Sequence, residues 1–185
     1  MRSSMWSGLA YALLLGVIGA GIVHIAILLL LPLFSERDAW SRLAAAGDLY
    51  VMTAADGSDG GRSTVQAPDP FFRASACRFD LQDGPVRLKA DGTVPFWSAS
   101  IYDRGGQNVY NFNDRTAAGG ELDFVVVTSA QMIEMRKDLP PELEASIFVE
   151  ADVDEGIVVV RAFAPDDSWT SSITAYVKSI ACAPQ

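Results

Sequence analysis

PFWSASIYDRGGQNVYNFNDR, residues 95–115, is the stretch whose reading decides the fold. It alternates. Trp97, Ala99 and Ile101 fall on one side of an extended chain and Phe96, Ser98, Ser100 and Tyr102 on the other, because successive side chains of a strand point to opposite faces. Asp103-Arg104-Gly105-Gly106 supplies turn chemistry, so the segment predicts a β-hairpin whose second strand is Asn108–Asn113. One set of side chains belongs in a core, and the other makes an amphipathic face.

Outward from this hairpin, short runs rich in β-branched and aromatic residues recur at 77–81, 86–90, 94–102, 122–128, 147–151 and 157–163. Each is bounded by turn signals such as Asp83-Gly84-Pro85, Asp91-Gly92 and Gly119-Gly120. Two helices decorate them. One covers 130–139 and is stopped by Pro140-Pro141; a last one opens at Asp167 or Ser168 and gathers Trp169, Ile173, Tyr176, Val177 and Ile180 on one face. Ile173, Ala175 and Val177 also alternate, so a closing strand is the second reading of that segment. Between Ala54 and Pro70 the chain reads ADGSDGGRSTVQAPDP, with too little apolar surface to order it strongly, which marks a linker. The class is α+β, mostly β, with 72–185 as the soluble domain and 36–71 as a juxtamembrane segment and linker.

Residues 1–35 are of another kind. Between Ser3 and Ser35 no side chain is charged, and Leu9 to Phe34 reads LAYALLLGVIGAGIVHIAILLLLPLF. A helix through it is about 39 Å long, more than the roughly 30 Å hydrocarbon core of a bilayer, so one tilted span is expected. A cleaved leader has a shorter apolar region, and Glu36, Arg37, Asp38 and Arg42 separate this one from Ala44-Ala45-Ala46, so the segment reads as a retained anchor. Trp6 and Trp40 suit the two headgroup levels, and Ser35 with Asp38 has the form of a capping pair opening a short second helix. Gly8, Ala12, Gly16, Ala20 and His24 recur every fourth residue. Either they form a close-approach face for another transmembrane helix, its own copy or a related membrane protein, or the row reflects an alanine- and glycine-rich span with a locally bonded imidazole.

Arg2 on one side of the span and Arg37 with Arg42 on the other do not fix its orientation. Cys77 and Cys182 are the two cysteines of the chain. They stand outside any Cys-x-x-Cys spacing and read either as a disulfide, which needs an oxidising compartment such as a periplasm, or as two buried thiols. A disulfide points to a domain outside the cytoplasm.

The formal net charge is −9, and after Arg115 only Arg136, Lys137, Arg161 and Lys178 oppose a large excess of acids. That excludes nucleic acid as a natural partner and reads as a solvated acidic face. Catalytic groups are scarce. The single histidine lies in the apolar span, which removes Ser-His and Cys-His nucleophiles and histidine metal sites from the soluble part. Asp103 and Asp114, drawn together by the hairpin, are the one carboxylate pair to nominate for acid and base work on an envelope glycan or ester. Asp56-Gly57-Ser58-Asp59 and Asp152-Val153-Asp154 offer oxygen ligands without the full calcium-loop pattern, so neither metal nor cofactor is expected. Phe96, Ser98, Ser100, Tyr102, Asp103, Asn108, Asn111, Asn113, Asp114 and Arg115 are the ligand-binding candidates, since Tyr, Ser, Asn and Arg together stack on and hydrogen-bond sugars, peptides or small polar ligands. Against this, the Asn and Asp side chains of such a hairpin also serve simply to tie down turns and strand ends.

SACRFDL with the following GPV, then PFWSASIYDRGGQNVYNFNDR, then GIVVVR at 156–161 and the late Cys182 resemble the short, single-span members of the family catalogued as domain of unknown function 1254. The resemblance implies a sandwich or jelly-roll-like β core, a bacterial inner-membrane anchor and a related membrane protein as companion. Longer members carry further domains, including a related domain of unknown function 1214. The combined expectation is a single-pass protein with its C-terminal domain in the periplasm, serving as a non-catalytic binding or scaffolding module; the alternative is a carboxylate-dependent envelope hydrolase.

Overall fold

The structure, a computed structural model, describes residues 2–57 and 69–185. Two compact units emerge, one ending at Asp38 and one running Ala39–Gln185. The first consists of helix. α1 (Arg2–Ala46) contains an apolar stretch, Ala10–Leu30, long enough to cross a membrane. The helical backbone continues without a break through Ser35, so Ser35 and Asp38 open no second helix, contrary to the capping pattern of the sequence. It ends where Gly47 N–H bonds back to Leu43 O at 3.0 Å, a glycine just past the last turn.

The second unit holds two sheets. β1 (Thr53–Ala54), β2 (Phe72–Asp80), β8 (Glu155–Phe163), β4 (Trp97–Asp103) and β5 (Asn108–Asn113) form one in the order β1-β2-β8-β4-β5; β7 (Ile147–Glu150), β6 (Asp123–Val127), β3 (Val86–Lys89) and β9 (Ala181–Pro184) form the other in the order β7-β6-β3-β9. The described pairs are antiparallel except β6 with β7. That exception has a cause: α2 (Ser129–Met135) and a 3-10 turn lie between the two strands, and a crossover of that length lets the chain return in the same direction. Thr128 and Gln131 cap α2 reciprocally, and Gln131 Nε2 also donates to Leu81 O at 2.6 Å, fixing the crossover to the end of β2.

The hairpin alternation predicts the core. Trp97, Ala99 and Ile101 are fully buried, with Phe79, Val158 and Val160 from the first sheet and Leu88, Phe124 and Val126 from the second in the same cluster. Trp97 and Phe124 both stand edge-on to Phe112, with centroids 5.8 and 4.8 Å apart, and Trp97 Nε1 donates to Gly120 O at 2.7 Å. Cys77 in β2 and Cys182 in β9 form a disulfide, Cα atoms 6.6 Å apart, that ties one sheet to the other. The last helix is real: α3 (Thr170–Ser179) buries Ile173, Tyr176 and Val177. Trp169 departs from the expected apolar face. It falls in the 3-10 turn Asp167–Trp169, whose tighter winding rotates it outward, and it is 40% exposed.

The first sheet takes in residues before 72. Tyr50 N–H bonds Arg78 O at 2.9 Å, Thr53 and Ala54 pair with Ala76 and Ser75, and Ala55 N–H bonds Ala74 O at 2.8 Å. Residues assigned to the linker by composition therefore extend the first sheet, because backbone pairing needs no apolar side chains.

Candidate functional site

The outward face of the first sheet is where the candidates lie. Strand pairing sets its rows. Ala74, Arg161, Ser98 and Asn113 line up across β2, β8, β4 and β5, and Ala76, Val159, Ser100 and Asn111 form the next row. Phe72, Phe163 and Phe96 cluster beside Arg161, with Phe72 5.4 Å from Phe163 and 6.4 Å from Phe96. Phe96, Ser98, Ser100, Asn111 and Asn113 thus share one face, as alternation requires. Ser100 is more enclosed than an amphipathic face implies, at 7% exposure.

Half of this face is already occupied. Trp40 and Leu43, from the end of α1, pack with Ala55 over Ala74, Ala76, Ile157, Val159 and Tyr102. Small residues at 74 and 76 permit the approach. Trp40 lies between two guanidinium groups, 5.0 Å from Arg78 and 5.1 Å from Arg104, each a cation–π contact. Arg78 Nη2 also donates to Gly47 O at 2.8 Å, and Arg104 is paired with Glu155. The Tyr50 hydroxyl lies 2.6 Å from Asp83 Oδ2 and 3.0 Å from Asp80 O; burial first, and the bond to Asp83 second, push its pKa up to about 12. Trp40 thus packs on the domain in this structure, and Tyr102 belongs to its packing.

The hairpin ends carry the other candidates. Asp103 caps the turn: its Oδ1 accepts from Gln107 N–H at 2.8 Å. The Asn108 and Asn111 amides bond each other at 2.9 and 2.7 Å, and Asn113 Oδ1 accepts from Arg115 N–H at 3.1 Å. These asparagines do tie down the strand and its end. Ser98 lies opposite Asn113, so Asp114 sits near the Trp97 end of β4 while Asp103 closes the other end, roughly 17–20 Å away at about 3.3 Å per residue. The carboxylate pair is a correction: paired glycosidase carboxyls stand about 5–9.5 Å apart, and antiparallel pairing separates these two instead of joining them. Asp114 Oδ1 is buried without a hydrogen-bond partner, as is the Tyr176 hydroxyl, whose pKa is driven up by burial and secondarily by the Asp114 charge.

Arg161 was missed as a site residue. Its odd-numbered position on the strand, in step with Ile157 and Val159, was the available signal, since parity puts it outward beside Ser98. It is exposed, and among the described residues it has neither ion pair nor side-chain hydrogen bond. Of the calcium candidates, Ser58 and Asp59 lie outside the described residues, and no group of metal-ligating side chains occurs among the described ones. Asp154 serves through its backbone, accepting from Leu81 N–H at 2.7 Å. Gly8 and Gly16 of the small-residue row have open space where a Cβ would stand. Separate from the sheet face, a cavity of about 570 Å³ is lined by Asp56, Asp69, Pro70, Arg73 and Asp167, with Thr170 and Thr174 of α3.

The model of the family described as "Protein of unknown function (DUF1254)" matches residues 49–184, and the chain belongs to that family. Among solved structures it is similar to the VPA0106 protein from Vibrio parahaemolyticus, with 14% identity and a TM-score of 0.55 over 82% of this chain and 35% of that one. It is also similar to an uncharacterised protein from Burkholderia cenocepacia, with 14% identity and a TM-score of 0.46 over 72% of this chain and 36% of that one. The chain thus spans about a third of the length of either structure. No curated protein matches it. At this identity the Vibrio protein speaks to the fold alone.

Proposed function

We propose that this is a single-span protein of the bacterial inner membrane whose β-rich domain faces the periplasm and binds a ligand or partner without catalysing a reaction. The observation that carries the binding reading is the open half of the first sheet's outer face, where Ser98, Asn113 and Arg161 stand in one row with Phe96 and Phe163 beside them. The anchor reading is supported by Ala10–Leu30, and the periplasmic one by the Cys77–Cys182 disulfide, a bond that persists in oxidising compartments. We divide the chain into an anchor up to Asp38 and a domain from Ala39, and take the domain for a sandwich, because both sheets contribute side chains to one core. The row Gly8, Ala12, Gly16, Ala20 and His24 would seat a second helix, from another copy or a related membrane protein, since association in lipid depends on close backbone approach. The hydrolase alternative is weaker once Asp103 and Asp114 are separated.

The test is site-specific photocrosslinking in native membranes from Ser98 and Asn111, with Ile133 on α2 as the control position. A discrete adduct from the sheet positions and none from Ile133 supports the binding face. No adduct, or the same adduct from all three, removes it. Alkaline phosphatase fused after Gln185 is expected to be active; an inactive fusion beside an active cytoplasmic reporter there reverses the topology.

A further inference from the structure

Arg161 lies in β8, between β2 and β4 in the sheet, and points outward. An opposite charge directly across or diagonally on a sheet face would stabilise a charged side chain there. Here the residues directly across are Ala74 and Ser98, and the diagonal ones are Phe72, Ala76, Phe96 and Ser100. None is acidic. The next residues along its own strand on that face, Val159 and Phe163, are apolar. In a chain with 23 acids and 14 bases, an exposed guanidinium whose neighbours in the sheet are all neutral has, among the described residues, no partner for its planar fork of donors. A guanidinium fork matches the two oxygens of a carboxylate, and nearby apolar surface strengthens such a contact by thinning the water around it.

The neighbours narrow the ligand. Phe96 and Phe163 offer ring surface beside the fork, while Ser98 directly across from it and Asn113 two strands away, about 10 Å along the row, offer hydroxyl and amide groups. Ring surface, neutral hydrogen-bonding groups and one guanidinium together fit a sugar unit that carries a single carboxylate, the hydroxyls meeting Ser98 and Asn113 and the acid meeting Arg161. A long polyanion fits less well, because the net charge of −9 would repel it. We propose that Arg161 anchors the carboxylate of an acidic saccharide on this face. The inference rests on the binding reading above and names its ligand class.

The experiment uses the full chain in neutral detergent micelles, titrated by calorimetry with the methyl glycoside of galacturonic acid, which carries one carboxylate, with its methyl ester, and with inorganic phosphate. The acid is expected to bind about tenfold or more tightly than the neutral ester, the loss expected for removing a charge-assisted bond. Arg161→Gln should abolish that preference, and Arg161→Lys should restore part of it. Acid and ester binding alike, Arg161→Gln retaining the preference, or no binding of the acid overturns the proposal. Phosphate binding at Arg161 with no response to the sugar acid overturns it as well, leaving a bare oxyanion site. An adduct in the crosslinking experiment together with any of these failures rejects the saccharide and keeps the binding face; absence of the adduct rejects both.

Discussion

Reduction of the Cys77–Cys182 disulfide is the perturbation whose magnitude follows most directly from the structure. The bridge joins β2 to β9 with a sequence separation of 105, so it closes a loop containing most of the domain. The chain-entropy relation gives about 4.8 kcal/mol at 25 °C for a loop of that size, and at about 1.4 kcal/mol per decade this is some three orders of magnitude in the folding equilibrium. The Cα separation of 6.6 Å lies within the range disulfides ordinarily span, so little native-state distortion should subtract from the figure. Hydrogen exchange at the Val158 and Val160 amides is the suitable probe, because far-UV signals would be dominated by the helix α1. Both residues are fully buried in the strand that links β2 to β4, and their amides open only when the sheet does. Reduced protein should exchange there about a thousandfold faster than oxidised protein. Cys77→Ala alone should cost nearly as much as Cys77→Ala with Cys182→Ala, since either breaks the same loop. Acceleration of less than tenfold would refute the reasoning, showing that the reduced ensemble is already held compact.

Trp40→Ala should cost about 2–3 kcal/mol, from two cation–π contacts of about 0.5–1 kcal/mol each and lost packing on Val159 and Tyr102; exchange at Thr53 and Ala54 should rise well before exchange at Val158, and unchanged rates at β1 would disprove the docking. Gly156→Ala should destabilise by about 3 kcal/mol, because a Cβ there stands 2.5 Å from Phe79 Cζ and 2.6 Å from Tyr102 O, whereas Gly92→Ala meets open space and pays only for its φ of 82°; equal urea midpoints for the two variants would contradict this. Burial alone would raise the Asp123 pKa, but hydrogen bonds from Arg87 and Ser146 and the charges of Arg87 and Lys89 outweigh it and hold the carboxyl below its ordinary value. A depressed folded value contributes stability above the unfolded pKa of about 3.9, lost as pH falls through the folded one, so the urea-midpoint gap between wild type and Asp123→Asn should be full at pH 7 and close below about pH 4. A gap that persists in acid would mean the carboxylate charge is not what stabilises β3 against β6.

The parts legible in the sequence were those set by local pattern. Asn108–Asn113 forms a strand with the bounds its composition and turn imply, and parity correctly buried Trp97, Ala99 and Ile101. Asp103 and Asp114 failed for a reason also present in the sequence: in an antiparallel pair, a residue at the turn and one beyond the far strand end are as distant as the hairpin allows. The packing of Trp40 was not readable because its contacts are with Arg78 and Arg104, 38 and 64 residues away along the chain. β1 escaped because two residues carry no periodicity, and β9 because Pro184 argues against a strand except at an edge, which is where β9 lies.

The partial covering of the first sheet's outer face follows from the size and polarity of its side chains. Ala74 and Ala76 on β2 leave a shallow floor, and Leu43 and Ala55 fill it over Ile157, so the half nearest β1 is covered by the chain's own entering segment. Towards β5 the same rows change character, from Ala76 to Ser100 and Asn111 and from Ala74 through Arg161 to Ser98 and Asn113. An apolar strap would cut Ser98 and the Arg161 guanidinium off from water without partners, at a cost of several kcal/mol in all. The strap therefore stops where burial ceases to be favourable, and Val159, which packs against it, lies one outward position from Arg161. The composition that keeps the strap off this half is also what the proposed binding face requires, because hydroxyl and guanidinium groups left to water can exchange that water for a ligand offering equivalent bonds.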